Sequence, residues 1–116
     1  MNIVSMQEIE NEYSPGIGRH WFDADTKRFF RCRLADVGYR AADGSVYFVS
    51  SEQNHGMGGP YPRRYTVRRL TGPKGNVETV GAFGEFGTSA TATKYAQGYA
   101  SGNKVLPGAA TVQLAA

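Results

Sequence analysis

Arg63-Arg64-Tyr65-Thr66-Val67-Arg68-Arg69-Leu70 is the stretch that decides the fold class of this chain. Read with a period of two, it sets Tyr65 and Val67 on one side and Arg64 and Arg68 on the other, the pattern of a β-strand with two unlike faces. Upstream, Arg28-Phe29-Phe30-Arg31-Cys32-Arg33-Leu34 repeats the arrangement. Phe30, Cys32 and Leu34 fall together, and Phe29, Arg31 and Arg33 lie opposite. Two such strands side by side predict a sheet that is apolar on one face and rich in guanidinium groups on the other. Arginine presents a planar fork of donors matched to phosphate and carboxylate, and nine of the thirteen basic residues are arginine. The expected binding residues are therefore Phe29, Arg31, Arg33, Arg64 and Arg68, with Phe29 placed to stack on a base or to enter a partner's pocket.

The rest of the chain supplies the neighbours. Val46-Tyr47-Phe48-Val49 reads as a strand entered through the Asp43-Gly44 turn. Val77 to about Phe83 reads as another, following the hairpin loop Gly72-Pro73-Lys74-Gly75-Asn76. His20-Trp21-Phe22 leads through the turn formers Asp23-Ala24-Asp25-Thr26 into the strand over 27–34. Of the adjacent aromatics Tyr47 and Phe48, alternation turns one toward solvent without saying which. At the N-terminus, Ser5 and Glu8 have the spacing of a capping box, and Val4 and Ile9 that of a hydrophobic staple. They predict a short helix with Met6, Ile9 and Tyr13 on its buried face, stopped by Pro15-Gly16. A second helix is predicted from Thr88 or Ser89 to about Ala100, with Ala92, Tyr95, Ala96, Tyr99 and Ala100 on one face and Gly102-Asn103 as its stop. Between strand and loop, Asn54-His55-Gly56-Met57-Gly58-Gly59-Pro60-Tyr61-Pro62 is too rich in glycine and proline for regular structure. It reads as a flexible binding loop offering His55, Met57 and Tyr61.

The predicted class is α+β: an N-terminal helix, a four- to five-stranded antiparallel sheet and a C-terminal helix in two layers. Both helices are expected on one face and the arginines on the other, open face. Residues 1–102 form the expected domain and 103–116 a flexible C-terminal tail.

Composition narrows the function classes. At 116 residues with 41% apolar and 20% charged, the chain is long enough for one core and too apolar for disorder. Its formal charge of +3 is unevenly spread: residues 1–18 carry −3, residues 19–69 carry +5 and residues 70–116 carry +1. A single cysteine, Cys32, excludes an internal disulfide and suits a reducing compartment. Neither a signal peptide nor a membrane-length apolar run is visible, so a cytoplasmic protein is expected. His20, Asp23, Asp25 and His55 match no metal-ligand spacing, and the two aspartates are natural turn formers. Alternation turns Cys32 away from the flanking arginines, toward a buried structural role rather than a nucleophilic one. Ser-His-Asp spacing, a phosphate loop and a nucleotide fingerprint are all missing. The expectation is a binding protein without catalytic residues, metal or cofactor.

Five segments, His20-Trp21-Phe22-Asp23, Arg28-Phe29-Phe30, Tyr47-Phe48-Val49-Ser50-Ser51-Glu52, Tyr65-Thr66-Val67-Arg68 and Val77-Glu78-Thr79-Val80-Gly81, resemble a group of small phage and prophage accessory proteins. The resemblance implies an anti-defence role of the anti-CRISPR kind, exerted in the host cytoplasm by binding. Many such inhibitors are acidic mimics of DNA, whereas this chain is basic on its predicted sheet. Its implied partner is a host protein or nucleoprotein complex with an acidic surface. A second similarity is to sheet-plus-helix DNA readers, carried by Gly81-Ala82-Phe83, Thr88-Ser89, Ala92 and Ala96. It implies direct DNA or RNA binding, with Arg31, Arg33, Arg64 and Arg68 as phosphate or guanine contacts. A structural phage component is the third reading.

Overall fold

A computed structural model describes residues 1–13, 31–72 and 75–106. The elements are β1 (Asn2–Ser5), α1 (Met6–Tyr13), β2 (Arg33–Leu34), β3 (Val37–Arg40), β4 (Val46–Glu52), β5 (Arg64–Thr71), β6 (Asn76–Val80) and α2 (Ser89–Ser101), the last being the C-terminal helix. The class is α+β, built on an antiparallel sheet ordered β1-β3-β4-β5-β6, with the short β2 also paired to β4. The Asp43-Gly44 turn is real: Gly44 takes φ +90° and its N–H donates to Ala41 O at 3.0 Å, closing the β3–β4 hairpin.

Register fixes which side chains share a face. Phe48 lies opposite Arg68, Ser50 opposite Thr66, and Glu52 opposite Arg64. One face therefore carries Val46, Phe48, Ser50, Glu52, Arg64, Thr66, Arg68 and Leu70, and the other Tyr47, Val49, Ser51, Tyr65, Val67 and Arg69. α2 packs on the second face. Ala92, Ala96 and Ala100 recur every four residues, and their small side chains bring the helix close to Tyr47, Val49, Val67, Val80 and Phe86. Thr88 caps this helix, its side chain accepting from Thr91 N–H, and Gly102 ends it in the left-handed conformation at φ 82°. Residues past the stop turn back onto the helix: Lys104 N–H donates to Gly98 O at 3.0 Å, and Leu106 packs against the same core.

α1 covers the opposite face. Its Met6 and Ile9 meet Val46, Phe48 and Leu70, with Val4, Leu34 and Val77 around them. Ser5 Oγ accepts from Glu8 N–H at 3.4 Å, and Met6 N–H donates to Asp36 O at 2.9 Å, tying the helix start to the β2–β3 turn. The helix sits so close to β3 that a Cβ on Gly38 would lie 2.7 Å from Met6 Sδ. The two helices thus lie on opposite sides of the sheet and not on a common one. The consequence shows in β4, where every residue from Val46 to Glu52 is buried. Tyr47 faces α2 and Phe48 faces α1, so neither of the adjacent aromatics points to solvent.

Candidate binding surface

The opposition of Phe48 and Arg68 governs the site. Arg68 is 1% exposed, and so lies inside the protein, not on an open arginine face. Its Nε donates to Ser50 Oγ at 2.9 Å, a second N–H donates to Thr79 Oγ1, and the guanidinium lies 3.5 Å from the Glu52 carboxylate. Glu52, 3% exposed, also accepts from Thr66 Oγ1 at 2.7 Å. Burial holds the Arg68 pKa below its ordinary value, an effect that the Glu52 charge offsets only in part. This buried pair with its hydroxyl partners holds β4, β5 and β6 together, which is a structural task. Cys32 belongs to the same cluster, with Sγ 3.6 Å from Glu52 Oε2. It is buried as expected, but it faces the Glu52–Arg68 pair and not an apolar environment.

Arg31 interrupts the predicted strand. It sits in a turn at φ +49°, left-handed and uncommon for a residue with a Cβ, and of the segment's described residues, 31–34, Arg33–Leu34 is strand. Arg33 pairs with Ser51 and so lies on the α2 side, whereas Arg64 pairs with Glu52 on the α1 side. The predicted arginines do not form one face. Phe29 lies outside the described residues, as do His20, Asp23 and Asp25.

The arginines do share an end of the sheet. Arg31, Arg33, Arg63 and Arg64 surround the C-terminus of β4 and the N-terminus of β5. Arg63 donates to Arg31 O at 2.8 Å and to Ser51 Oγ at 2.9 Å, binding the Arg31 turn to the strand. Arg64 Nε donates to Gly84 O at 2.8 Å and its Nη2 to Glu85 O at 3.0 Å, holding the turn after β6 against β5. That turn then rejoins the sheet, where Tyr65 and Phe86 exchange backbone hydrogen bonds of 2.9 and 3.0 Å. Arg31, Arg33 and Arg64 all remain exposed.

The loop over 54–62 rises from this end. It is closed on itself: Asn54 Oδ1 accepts from Gly56 N–H at 2.8 Å, and Asn54 O accepts from Tyr61 N–H at 3.0 Å. Gln53 donates to Tyr61 O, and the Tyr61 hydroxyl donates to Met57 O. His55 is exposed, Met57 is 93% exposed, and Tyr61 is 42% exposed. Between this loop and the turn after β6 lies a groove of about 320 Å³, lined by Glu52, Asn54, Tyr61, Pro62, Arg64, Phe83 and Gly84. Phe83, half-exposed at 50%, forms part of its wall.

Sequence reasoning passed over Glu52 and Phe83. Glu52 had a signal, since it stands two and four residues beyond Ser50 and Phe48 on the same side of one strand, where a carboxylate needs an internal cation. Phe83 had none, because its exposure is set by the Gly81 and Gly84 turn conformations at φ 79° and 66°. At the other end of β5, Arg69 pairs with Glu78 at 2.9 Å and Asp43 at 3.3 Å, over the Tyr47 ring. Burial alone would lower its pKa, but the Glu78 contact raises it overall. Among the described residues no group of three or more His, Cys, Asp or Glu side chains is arranged to hold a metal ion. No helix among them is long and apolar enough to cross a membrane.

Residues 5–97 match a family whose description is "Family of unknown function (DUF7447)". The match spans most of the chain, and the protein belongs to that family. No curated protein and no solved structure matches it.

Proposed function

We propose that the chain is a phage-encoded, non-enzymatic binding protein that disables a host defence complex by covering an acidic surface with the arginine-bearing end of its sheet. The observation that carries this reading is the gathering of Arg31, Arg33, Arg63 and Arg64 beside the exposed loop over 54–62. Charges of one sign at one end accelerate encounter with a surface of the opposite sign. Exposed Met57, Tyr61 and Phe83 add the apolar and aromatic contacts that dominate protein interfaces. The resemblance to phage accessory proteins supplies the biological setting, the host cytoplasm. The test is plaque formation by a phage targeted by CRISPR immunity, in cells expressing the chain. Wild type restores plaques, and an Arg31→Glu/Arg33→Glu variant with an unchanged circular dichroism spectrum does not. Undiminished clearance of the phage by cells overexpressing the wild-type chain overturns the proposal.

A second reading is favoured by the same aromatics beside Arg64, since rings next to guanidinium groups also make platforms for single-stranded nucleic acid. It predicts a mobility shift at low salt that weakens with a log–log slope of about −0.7 per phosphate neutralised. The lack of a shift with any strand at low salt removes it.

A further inference from the structure

We infer that the small cavity between the start of α2 and the adjoining ends of β2, β4 and β5 is an oxyanion site that takes one phosphate group, as the free ion or as the end of a small phosphomonoester. It lies on the α2 side of the sheet, away from the groove beside Phe83.

Register builds the cavity. Arg33 pairs with Ser51 and Ser51 with Tyr65, so the three stand in one row across β2, β4 and β5, on strands about 4.8 Å apart. Ser89, the first residue of α2, lines the same space from the helix layer. The cavity measures about 100 Å³, and the rest of its lining is apolar. That volume suits one small anion and falls well short of the about 300 Å³ or more that a larger organic ligand fills.

Its donors are unspent. Among the described residues the Arg33 guanidinium makes no hydrogen bond and no ion pair, and the Tyr65 and Ser89 hydroxyls have no partner. Ser51, 7% exposed, accepts from Arg63 at 2.9 Å and gives its own proton to none of them. Arg63 thereby sets a second guanidinium one hydrogen bond behind the cavity. A buried hydroxyl without an acceptor, next to a guanidinium fork without a carboxylate, is a set of donors that an anion would satisfy.

Charge and shape name that anion. Each of the two larger grooves includes a carboxylate, Glu52 in the one beside Phe83 and Asp43 in the one beside Arg69, and repels negative charge. No acidic residue lines this cavity among the described residues. Its donors come from three strands and a helix, not from one plane, which matches a tetrahedral phosphate better than a flat carboxylate. The start of α2 adds partial positive charge. Thr88 already caps Thr91 N–H there, so the assignment rests on the side chains.

The experiment titrates the full chain with inorganic phosphate at constant ionic strength, read by calorimetry and by amide chemical shifts. Saturable binding is expected, with the amide resonances of Ser51, Tyr65 and Ser89 moving along the titration. Arg33→Gln should weaken binding about tenfold or more through the loss of charge-assisted hydrogen bonds, with the thermal midpoint of the free protein unmoved. Ser89→Ala should weaken it less. Arg40→Gln, which removes the same charge at the opposite end of β4, should leave it unchanged. Glycerol phosphate, acetate and a single-stranded oligonucleotide are the comparison probes. Glycerol phosphate bound at least as tightly as phosphate supports the site as one for small phosphomonoesters, and weaker binding supports it as one for the free ion. The site is overturned by a titration that does not saturate, by acetate bound as tightly as phosphate, or by an equal loss in Arg40→Gln. An oligonucleotide bound more tightly than either phosphate probe overturns it in favour of a nucleic-acid backbone.

Discussion

Replacing Arg68 by Met tests the claim that this arginine is an internal strut. Met fills much of the side-chain volume but carries no charge and no donor. The substitution strips Glu52, 3% exposed, of the guanidinium at 3.5 Å, and leaves Ser50 Oγ without its 2.9 Å donor and Thr79 Oγ1 without another. Breaking a buried ion pair by removing one partner costs about 3–5 kcal/mol, because the remaining charge is uncompensated. Against a total stability of roughly 5–15 kcal/mol, that brings many domains of this size near unfolding at room temperature. At about 4–8 °C per kcal/mol for a domain near this length, the thermal midpoint should fall by more than about 10 °C. Glu52→Gln alone should be destabilising in the same way, since it leaves a buried guanidinium opposite a neutral amide. The double variant Arg68→Met/Glu52→Gln removes both charges, and should lose less than the sum of the singles by about 1–3 kcal/mol. Urea or thermal unfolding of the four proteins at neutral pH gives the cycle. A single-variant loss below about 1 kcal/mol, in the range of an exposed pair, would refute the buried assignment. Strict additivity would refute the pairing.

Three further outcomes follow from the same geometry. Thr88→Ala removes the side chain that accepts from Thr91 N–H at the start of α2 and should cost about 1 kcal/mol in chemical denaturation, with Thr88→Ser losing much less. Gly84→Ala puts a Cβ 3.3 Å from Arg64 Cβ at a backbone φ of +66°, so a loss of about 1–2 kcal/mol is expected, with the groove-lining Phe83 displaced in the process. The Asp43 carboxyl is held below its ordinary 3.8, first by the Ser45 backbone N–H and further by Arg69. A lowered carboxylate pKa adds stability that is present above the unfolded value of about 3.9 and is lost as pH falls through the folded one. Asp43→Asn should therefore be slightly less stable than wild type at pH 7, by no more than about 1 kcal/mol, and the gap should close in acid. A gap that widens below pH 4 would contradict the sign.

The sequence made local structure legible wherever one residue type answers one local need. Ser5 and Glu8 marked the start of α1 because only a side-chain acceptor satisfies the free N–H groups there, and Thr88 and Gly102 bracketed α2 for the corresponding reasons at its two ends. Gly44 marked the β3–β4 turn through its need for a positive φ. β1 and β3 were missed. Asn2-Ile3-Val4-Ser5 is only four residues long, and β3 contains Gly38, which reads as a turn residue although it is there to admit Met6. The Arg31 turn was hidden for the converse reason: alternation continued through a residue whose backbone does not.

The error over Arg68 has a more general cause. Period-two alternation separates the residues of a strand into two sets, but it does not say which set meets water, because that depends on what packs above each face. With one face covered, the arginine set would have been the outer one. Here α1 lies on that side, and Phe48 and Leu70 share it with Arg68. A mixed face of Phe, Leu, Ser, Thr, Glu and Arg is stable inside a protein only if its polar members satisfy one another, and the Glu52, Ser50, Thr66 and Thr79 contacts are that satisfaction. The inward arginine thereby serves the fold, and the binding role proposed above is left to groups that the sheet leaves exposed. Those lie at its end, where strands stop pairing: Arg33 is exposed on the α2 side, and Arg64 on the α1 side beside Tyr61 and Phe83.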